Sequence, residues 1–82
     1  MTKKELQILK RQYKEIVFDH YYYRYLAKIA KTQDAMEAYH KNINNEVMIE
    51  ILLRSLNLDP EILLNAEERR NLRELARESV KC

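Results

Sequence analysis

Residues 2–31 read TKKELQILKRQYKEIVFDHYYYRYLAKIAK, and this stretch decides the fold. Thr2 and Glu5 have the spacing of a capping box, in which the threonine caps a backbone amide and the glutamate reaches back to the cap. No Gly or Pro interrupts the stretch between Lys3 and Lys31, so we predict one helix there. At 1.5 Å per residue it would extend roughly 43 Å, longer than a compact domain of this size, so it either overhangs or bends.

The composition of the whole chain favours helices. Gly is absent and Pro occurs once among the 82 residues, which removes most of the tight turns that strands need. A chain of this length forms one domain, residues 1–82, and buries only roughly 60% of the surface that its unfolded form exposes. Its core is therefore thin, and a partner would stabilise it.

The boundaries of the later helices follow from capping residues. Asp34 and Glu37 repeat the cap spacing, which predicts a break between Lys31 and Asp34 and then a short helix towards Lys41. The alternative is that the first helix continues straight through. Asparagine stands at positions 42, 44 and 45, and its side chain competes for the backbone, so we expect a second interruption there.

The segment of residues 46–56 is the most apolar helix of the chain. It carries seven large apolar residues: Val47, Met48, Ile49, Ile51, Leu52, Leu53 and Leu56. The polar residues Glu46, Glu50 and Arg54 occupy only a narrow strip of the helix surface, so we predict that this helix is the most buried of all.

The end of the chain has two start signals for helices. Asp59-Pro60-Glu61 combines a capping Asp with a Pro that tolerates the first helical position. Asn65 and Glu68 form a further cap, so a single turn from Pro60 precedes a main helix over residues 66–81. The sequence thus predicts an all-α small helical bundle of four or five helices with a long first helix, either dimeric or bound to a partner.

The apolar residues of the first helix change sides along its length. At about 100° per residue, one group falls on one flank: Leu6, Leu9, Tyr13, Ile16 and Val17. A second group lies almost opposite: Phe18, Tyr22, Tyr25, Leu26 and Ile29. A helix that only covers its own core keeps one stripe, so we expect one of the two neighbours to be another chain. The alternative is a monomer whose other helices cover both sides.

Four of the six tyrosines lie within residues 21–25. Their side chains point in nearly every direction around a helix and cannot all enter one core. Tyrosine is enriched in protein interfaces because it offers a large contact area with few rotatable bonds. We therefore predict a protein-binding surface made of Phe18, Tyr21, Tyr22, Tyr25 and Ile29, although the edge of a core would have the same composition.

Basic residues suggest an alternative, nucleic-acid binding. Lysines interleave with tyrosines on the first helix, and arginines form a row on the last one, a pattern that suits phosphates and stacked bases. The candidates are Lys3, Lys10, Lys14, Lys28, Lys31, Arg69, Arg70, Arg73 and Arg77. The formal net charge is only +2, and lysines and arginines on solvated helix faces would look the same.

Catalytic and metal sites are not evident in the sequence. Glu37 and His40 have the spacing of a di-iron ligand pair, but no facing carboxylate is apparent, so they fit a solvated helix surface. His20 fits a hydrogen-bonded histidine at the edge of the core. Cys82 is the single cysteine, which excludes an internal disulfide and a zinc cluster.

These observations favour a non-enzymatic interaction module that binds another protein, itself, or both. An adaptor, an inhibitor or a chaperone-like subunit fits this description, and an immunity or antitoxin protein differs from them only in the partner. We expect no cofactor and no small-molecule substrate. We also expect no membrane segment and no secretory signal, and a cytoplasmic location.

Overall fold

The computed structural model describes residues 1–81 of the chain, and these residues form four helices. The helices are α1 (Lys3–Ala30), α2 (Gln33–Ser55), α3 (Pro60–Leu63) and α4 (Ala66–Lys81). No strand occurs within these residues. The predicted all-α bundle with a long first helix is therefore confirmed, with four helices; Cys82 lies outside the described residues.

The long helix α1 begins as the capping box predicts. The Thr2 hydroxyl oxygen accepts a hydrogen bond from the Glu5 amide at 3.1 Å and donates to the Glu5 carboxylate at 3.1 Å. The helix then runs unbroken for 28 residues. The molecule measures 41 × 22 × 18 Å, so the helix spans its full length.

The break after α1 lies where the sequence predicts it, but a different residue caps the next helix. Lys31 adopts a left-handed conformation with φ of 53°, and its amide donates to the Ala27 carbonyl. Thr32 is the N-cap of α2, because its hydroxyl oxygen accepts a hydrogen bond from the Ala35 amide at 3.2 Å.

The predicted interruption at the asparagines is wrong, because α2 continues through them to Ser55. The Asn42 side chain donates to the Ala38 carbonyl at 2.8 Å, one turn back along the same helix. Asn44 and Asn45 are exposed, so water can satisfy their amides. None of the three needs to take a backbone partner away from the helix.

The start signals near the end of the chain are confirmed. The Asp59 carboxylate accepts a hydrogen bond from the Glu61 amide at 2.9 Å, with Pro60 at the beginning of α3. At the start of α4, the Asn65 side chain accepts from the Glu68 amide at 2.8 Å, and the Glu68 carboxylate accepts from the Asn65 amide at 3.3 Å.

Helix α1 packs against both α2 and α4. Tyr13, Val17 and Leu53 are the largest fully buried side chains. Phe18, Tyr22 and Tyr25 pack against the same core cluster, as do residues of the other stripe. The helices of one chain therefore cover most of both stripes of α1, with Ile29 left exposed, and the two stripes no longer require a second chain.

The prediction that residues 46–56 form the most buried helix is wrong. Only Glu46, Ile49 and Leu53 are buried in this segment, whereas five large apolar residues are exposed: Val47, Met48, Ile51, Leu52 and Leu56. The physical reason is that α2 lies at the edge of the bundle and packs against α1 and α3. No helix within residues 1–81 has both the length and the apolarity to cross a bilayer.

Candidate functional site

Two features of the structure are candidates for function, a polar cluster between three helices and an apolar helix face. The polar cluster, here called the Arg69 cluster, joins α1, α2 and α4. It consists of Arg69 together with Tyr13, Tyr21, His20, Glu46 and Glu50.

Hydrogen bonds from the Arg69 guanidinium hold the cluster together. Nη2 donates to the Tyr13 hydroxyl at 2.9 Å, and Nη1 donates to the Tyr21 hydroxyl at 3.3 Å. The same two nitrogens lie 3.5 Å from Glu46 and 3.4 Å from Glu50. One planar side chain thus binds two tyrosines of α1 and two carboxylates of α2, a use to which the guanidinium fork is suited.

The tyrosine and histidine side chains complete this network. The Tyr13 hydroxyl donates to the Glu50 carboxylate at 2.6 Å, and His20 Nδ1 lies 3.2 Å from Glu46 Oε1. His20 is partly buried, so it lies at the edge of the core as predicted. Within residues 1–81, no buried side-chain nitrogen or oxygen lacks a hydrogen-bond partner.

The protonation states of the cluster follow from these contacts. Burial raises the pKa of Tyr13 above its ordinary value, and the hydrogen bond to Glu50 raises it further. Burial alone would lower the pKa of Arg69, but its contacts with Tyr21 and Glu46 raise the pKa above the ordinary value. Tyr13 therefore stays a hydrogen-bond donor and Arg69 stays charged.

The Arg69 cluster is built to hold helices together. Its hydrogen bonds join side chains of α1, α2 and α4. Tyr21 and Arg69 line a surface cleft of about 350 Å³, together with Ala66, Glu67, Arg70 and Arg73. That cleft places an acidic side chain among the arginines, and nothing in it favours one class of ligand.

The second candidate is an apolar surface on the side of α2 that faces away from the core. We call it the α2 outer face and define it by six positions: Val47, Met48, Ile51, Leu52, Ser55 and Leu56. All six are exposed, and the five apolar ones expose 43% to 68% of their surface. Opposite them on the helix, Glu46, Ile49 and Leu53 are buried.

The size of the α2 outer face sets it apart from ordinary surface hydrophobics. Isolated exposed apolar residues occur on every protein, and Ile29 and Ile62 are examples here. Five such residues on adjoining turns of one helix together expose on the order of 400–500 Å² of apolar surface. This area is similar to that of the largest apolar patch on a typical monomer, and such a patch is often a binding site.

The residues predicted to form a tyrosine-rich binding surface separate in the structure. Tyr21 is buried and adds almost no area to the surface. Phe18, Tyr22 and Tyr25 are partly buried against the core. Ile29 is exposed at 64%. Much of the area expected for a partner is therefore covered within the chain, and binding through these residues stays a prediction.

The basic residues predicted as a nucleic-acid surface also separate. Lys14 and Lys10 lie 3.3 Å and 4.0 Å from the Glu68 carboxylate. Arg69 belongs to its cluster, and Arg77 donates to Glu74 at 2.9 Å. The other candidates, Lys3, Lys28, Lys31, Arg70 and Arg73, are exposed; Lys3 and Lys28 lie near opposite ends of α1, roughly 40 Å apart.

The two residues whose spacing matches a di-iron ligand pair lie on the surface of α2, as their interpretation as a solvated helix surface predicts. Glu37 and His40 are exposed, and the Glu37 carboxylate accepts a hydrogen bond from Gln33 at 3.2 Å. Within residues 1–81, no group of three or more histidine, cysteine, aspartate or glutamate side chains is placed to hold a metal ion.

Sequence reasoning missed both candidate features, although each left a signal. Glu46 and Glu50 stand one turn apart in an apolar segment, and two carboxylates on the inner side of a helix need a cation. The α2 outer face had a signal as well, since apolar residues surround most of this helix and a bundle of this size has too few helices to cover them.

Comparisons with known proteins name no relative. No protein-family model matches the chain, and neither a curated protein nor a solved structure matches it significantly. The fold and the two features therefore define the chain only as a small all-α protein with an uncovered apolar helix face.

Proposed function

We propose that this chain is a protein-interaction module that binds a protein partner through the α2 outer face. The observation that carries the proposal is the exposure of Val47, Met48, Ile51, Leu52 and Leu56 on adjoining turns of one helix. Covering such a surface removes apolar area from water at about 25 cal/mol per Å². An adaptor, an inhibitor or a chaperone-like subunit would use the surface in this way.

The location of the surface supports this function. The core side of α2 is anchored by Ile49 and Leu53 in the core and by the contacts of Glu46 and Glu50 with Arg69. The opposite side is therefore presented on a rigid element, and ordering it for a partner costs little conformational entropy. Regular helices with one apolar face bind partners in this manner.

Nucleic-acid binding is less well supported. Lys10, Lys14 and Arg77 lie next to carboxylates of the same chain, and Arg69 is held in the interior cluster. Each of these contacts would have to be exchanged for a phosphate contact. The exposed lysines and arginines that remain suit solubility equally well.

Photo-cross-linking tests the proposal directly. A benzophenone amino acid is placed at Met48, on the α2 outer face, and a matched one at Arg73, which is exposed on α4. Irradiation of cells that produce the chain should give a discrete cross-linked species from position 48 and none from position 73. Adding Ile51→Glu should remove that species. No product from position 48, or the same products from both positions, would contradict the proposal.

A further inference from the structure

We infer that the partner on the α2 outer face is a second copy of this chain, packed antiparallel about a two-fold axis between Ile51 and Leu52. The inference rests on the proposed function, since it names the occupant of the same surface. Three properties of the face carry it: its symmetry, its lack of charge, and its area.

The positions of the α2 outer face form a palindrome. They are 47, 48, 51, 52, 55 and 56. Reversing the direction of the helix about the point midway between 51 and 52 exchanges 47 with 56, 48 with 55 and 51 with 52. The set therefore maps onto itself. In an antiparallel pair the two positions on the middle line of the face meet across the axis, so that Met48 packs against the partner's Ser55 and Ser55 packs against the partner's Met48, as a two-fold interface requires.

The spacing also suits close packing of two helices. Positions 47, 51 and 55 form one row at i, i+4, and positions 48, 52 and 56 form a second row beside it. Rows of this kind pack into the grooves between them on a facing helix, at a crossing angle of about −50°. The small side chain of Ser55 leaves room for the partner's Met48.

No charged residue occupies any of the six positions. This matters at a two-fold interface because a charge near the axis faces its own copy, and like charges repel. Of the charged residues beside the face, Glu50 points towards the core, where it contacts Tyr13 and Arg69, and Arg54 is exposed next to Ser55. The one polar group of the face, the Ser55 hydroxyl, donates to the Leu52 carbonyl at 2.6 Å. Burying it leaves no donor unpaired.

The area of the face fits a dimer of standard size. A stable interface buries about 800 Å² on each partner. The five apolar side chains expose on the order of 400–500 Å², so they would supply more than half of that area. The remaining area would have to come from residues that flank the face.

The experiment is sedimentation of purified chain across a range of concentrations, with variants that test the pairing of positions 48 and 55. Wild type should sediment as a dimer. Met48→Lys and Ser55→Glu should each weaken dimerisation at least about tenfold, because each places a charge against apolar surface. The double variant should restore the dimer, since the antiparallel pairing brings the two introduced charges together twice. Within one helix these positions are seven residues apart and do not reach each other.

A matched control and the far-ultraviolet circular dichroism spectrum keep the result interpretable. Leu75→Lys changes an apolar residue of similar exposure on α4, and it should leave dimerisation unchanged. All variants should keep the helical spectrum, because Met48, Ser55 and Leu75 are exposed. A wild-type monomer at every concentration would overturn the inference. A dimer that Met48→Lys does not weaken, or that the double variant does not restore, would overturn it too.

Failure of the inference and failure of the proposed function give different results. A monomeric wild type that still cross-links from position 48 to a different protein keeps the proposed function and rejects the second copy. A monomer with no cross-linked product rejects both. A cross-linked product of twice the mass of the chain supports both.

Discussion

Nη2 of Arg69 lies 2.9 Å from the hydroxyl oxygen of Tyr13, although the two residues are 56 positions apart in the chain. The contact ties the start of α4 to the middle of α1. Glu50 of α2 accepts from the same hydroxyl at 2.6 Å, so one arginine and one tyrosine bring three helices together. The fold of this small bundle therefore depends on a polar cluster as well as on its thin apolar core.

Replacing Arg69 with Leu should destabilise the protein. The change leaves Glu46 and Glu50 without their cation in a partly buried setting, and removal of one partner of a fully buried pair costs about 3–5 kcal/mol. The Arg69 side chain is 30% exposed, so we expect roughly 2 kcal/mol after solvent screening. Urea unfolding measures this loss in the free energy of unfolding. The neighbour Arg70 is exposed, and Arg70→Leu should change the free energy of unfolding by about 0.5 kcal/mol or less.

Leu52 and Leu53 offer a matched test of which side of α2 faces the core. Leu53 is fully buried, whereas Leu52 is 48% exposed. Leu53→Ala should lower the free energy of unfolding by about 2–5 kcal/mol, because it leaves a cavity. Leu52→Ala should cost under about 1 kcal/mol at concentrations where the chain is monomeric. Equal losses in the two variants would contradict the orientation of α2.

The stability of the α4 cap should depend on pH through Glu68. The amide of Asn65 and the ammonium of Lys14 lower the pKa of Glu68 below its ordinary value of 4.5. A lowered pKa in the folded state means that the stabilisation is present above pH 4.5 and is lost as pH falls through the folded pKa. Wild type should therefore exceed Glu68→Gln in stability at neutral pH and match it in strong acid.

The control for this experiment is ionic strength. Glutamine keeps an oxygen that can accept from the Asn65 amide, so the comparison isolates the negative charge. Salt at about 1 M shortens the Debye length to roughly 3 Å and should shrink the neutral-pH difference. A difference between wild type and Glu68→Gln that does not change with pH would show that the charge contributes nothing.

Replacing Lys31 with Gly should stabilise the protein. Lys31 has a φ of 53° at the end of α1, where a side chain with a Cβ atom costs roughly 1 kcal/mol relative to glycine. The entropy of a glycine in the unfolded chain offsets part of the gain, so we expect an increase of about 0.5 kcal/mol. Thermal unfolding measures this increase in stability. Asn57 has a φ of 61°, but asparagine tolerates this conformation, so Asn57→Gly should gain less.

Some features of the structure follow from the sequence because they depend on residues close in the chain. The caps at Thr2, Asp59 and Asn65 involve partners two or three positions away. An uninterrupted stretch of helix-forming residues likewise predicts α1 without knowledge of its neighbours. The same reasoning failed at the asparagines of α2, since the side chain of Asn42 found its partner within the helix.

Other features depend on which helix lies next to which, and only the tertiary structure decides them. In the sequence Arg69 is one arginine in a row, and in the structure it is partly buried because Tyr13 and Glu50 lie opposite it. The tyrosine-rich segment is partly covered because α1 packs against both α2 and α4. Local patterns cannot foresee such pairings, since they join residues that are distant in sequence.

The sequence by itself determined that this protein is all-α and where its first and last helices begin. The tertiary structure alone decided that the outward side of α2 is left exposed, against the prediction that residues 46–56 form the most buried helix. The physical reason is that helix formation and capping are local, whereas the burial of a helix face depends on the neighbours that pack against it.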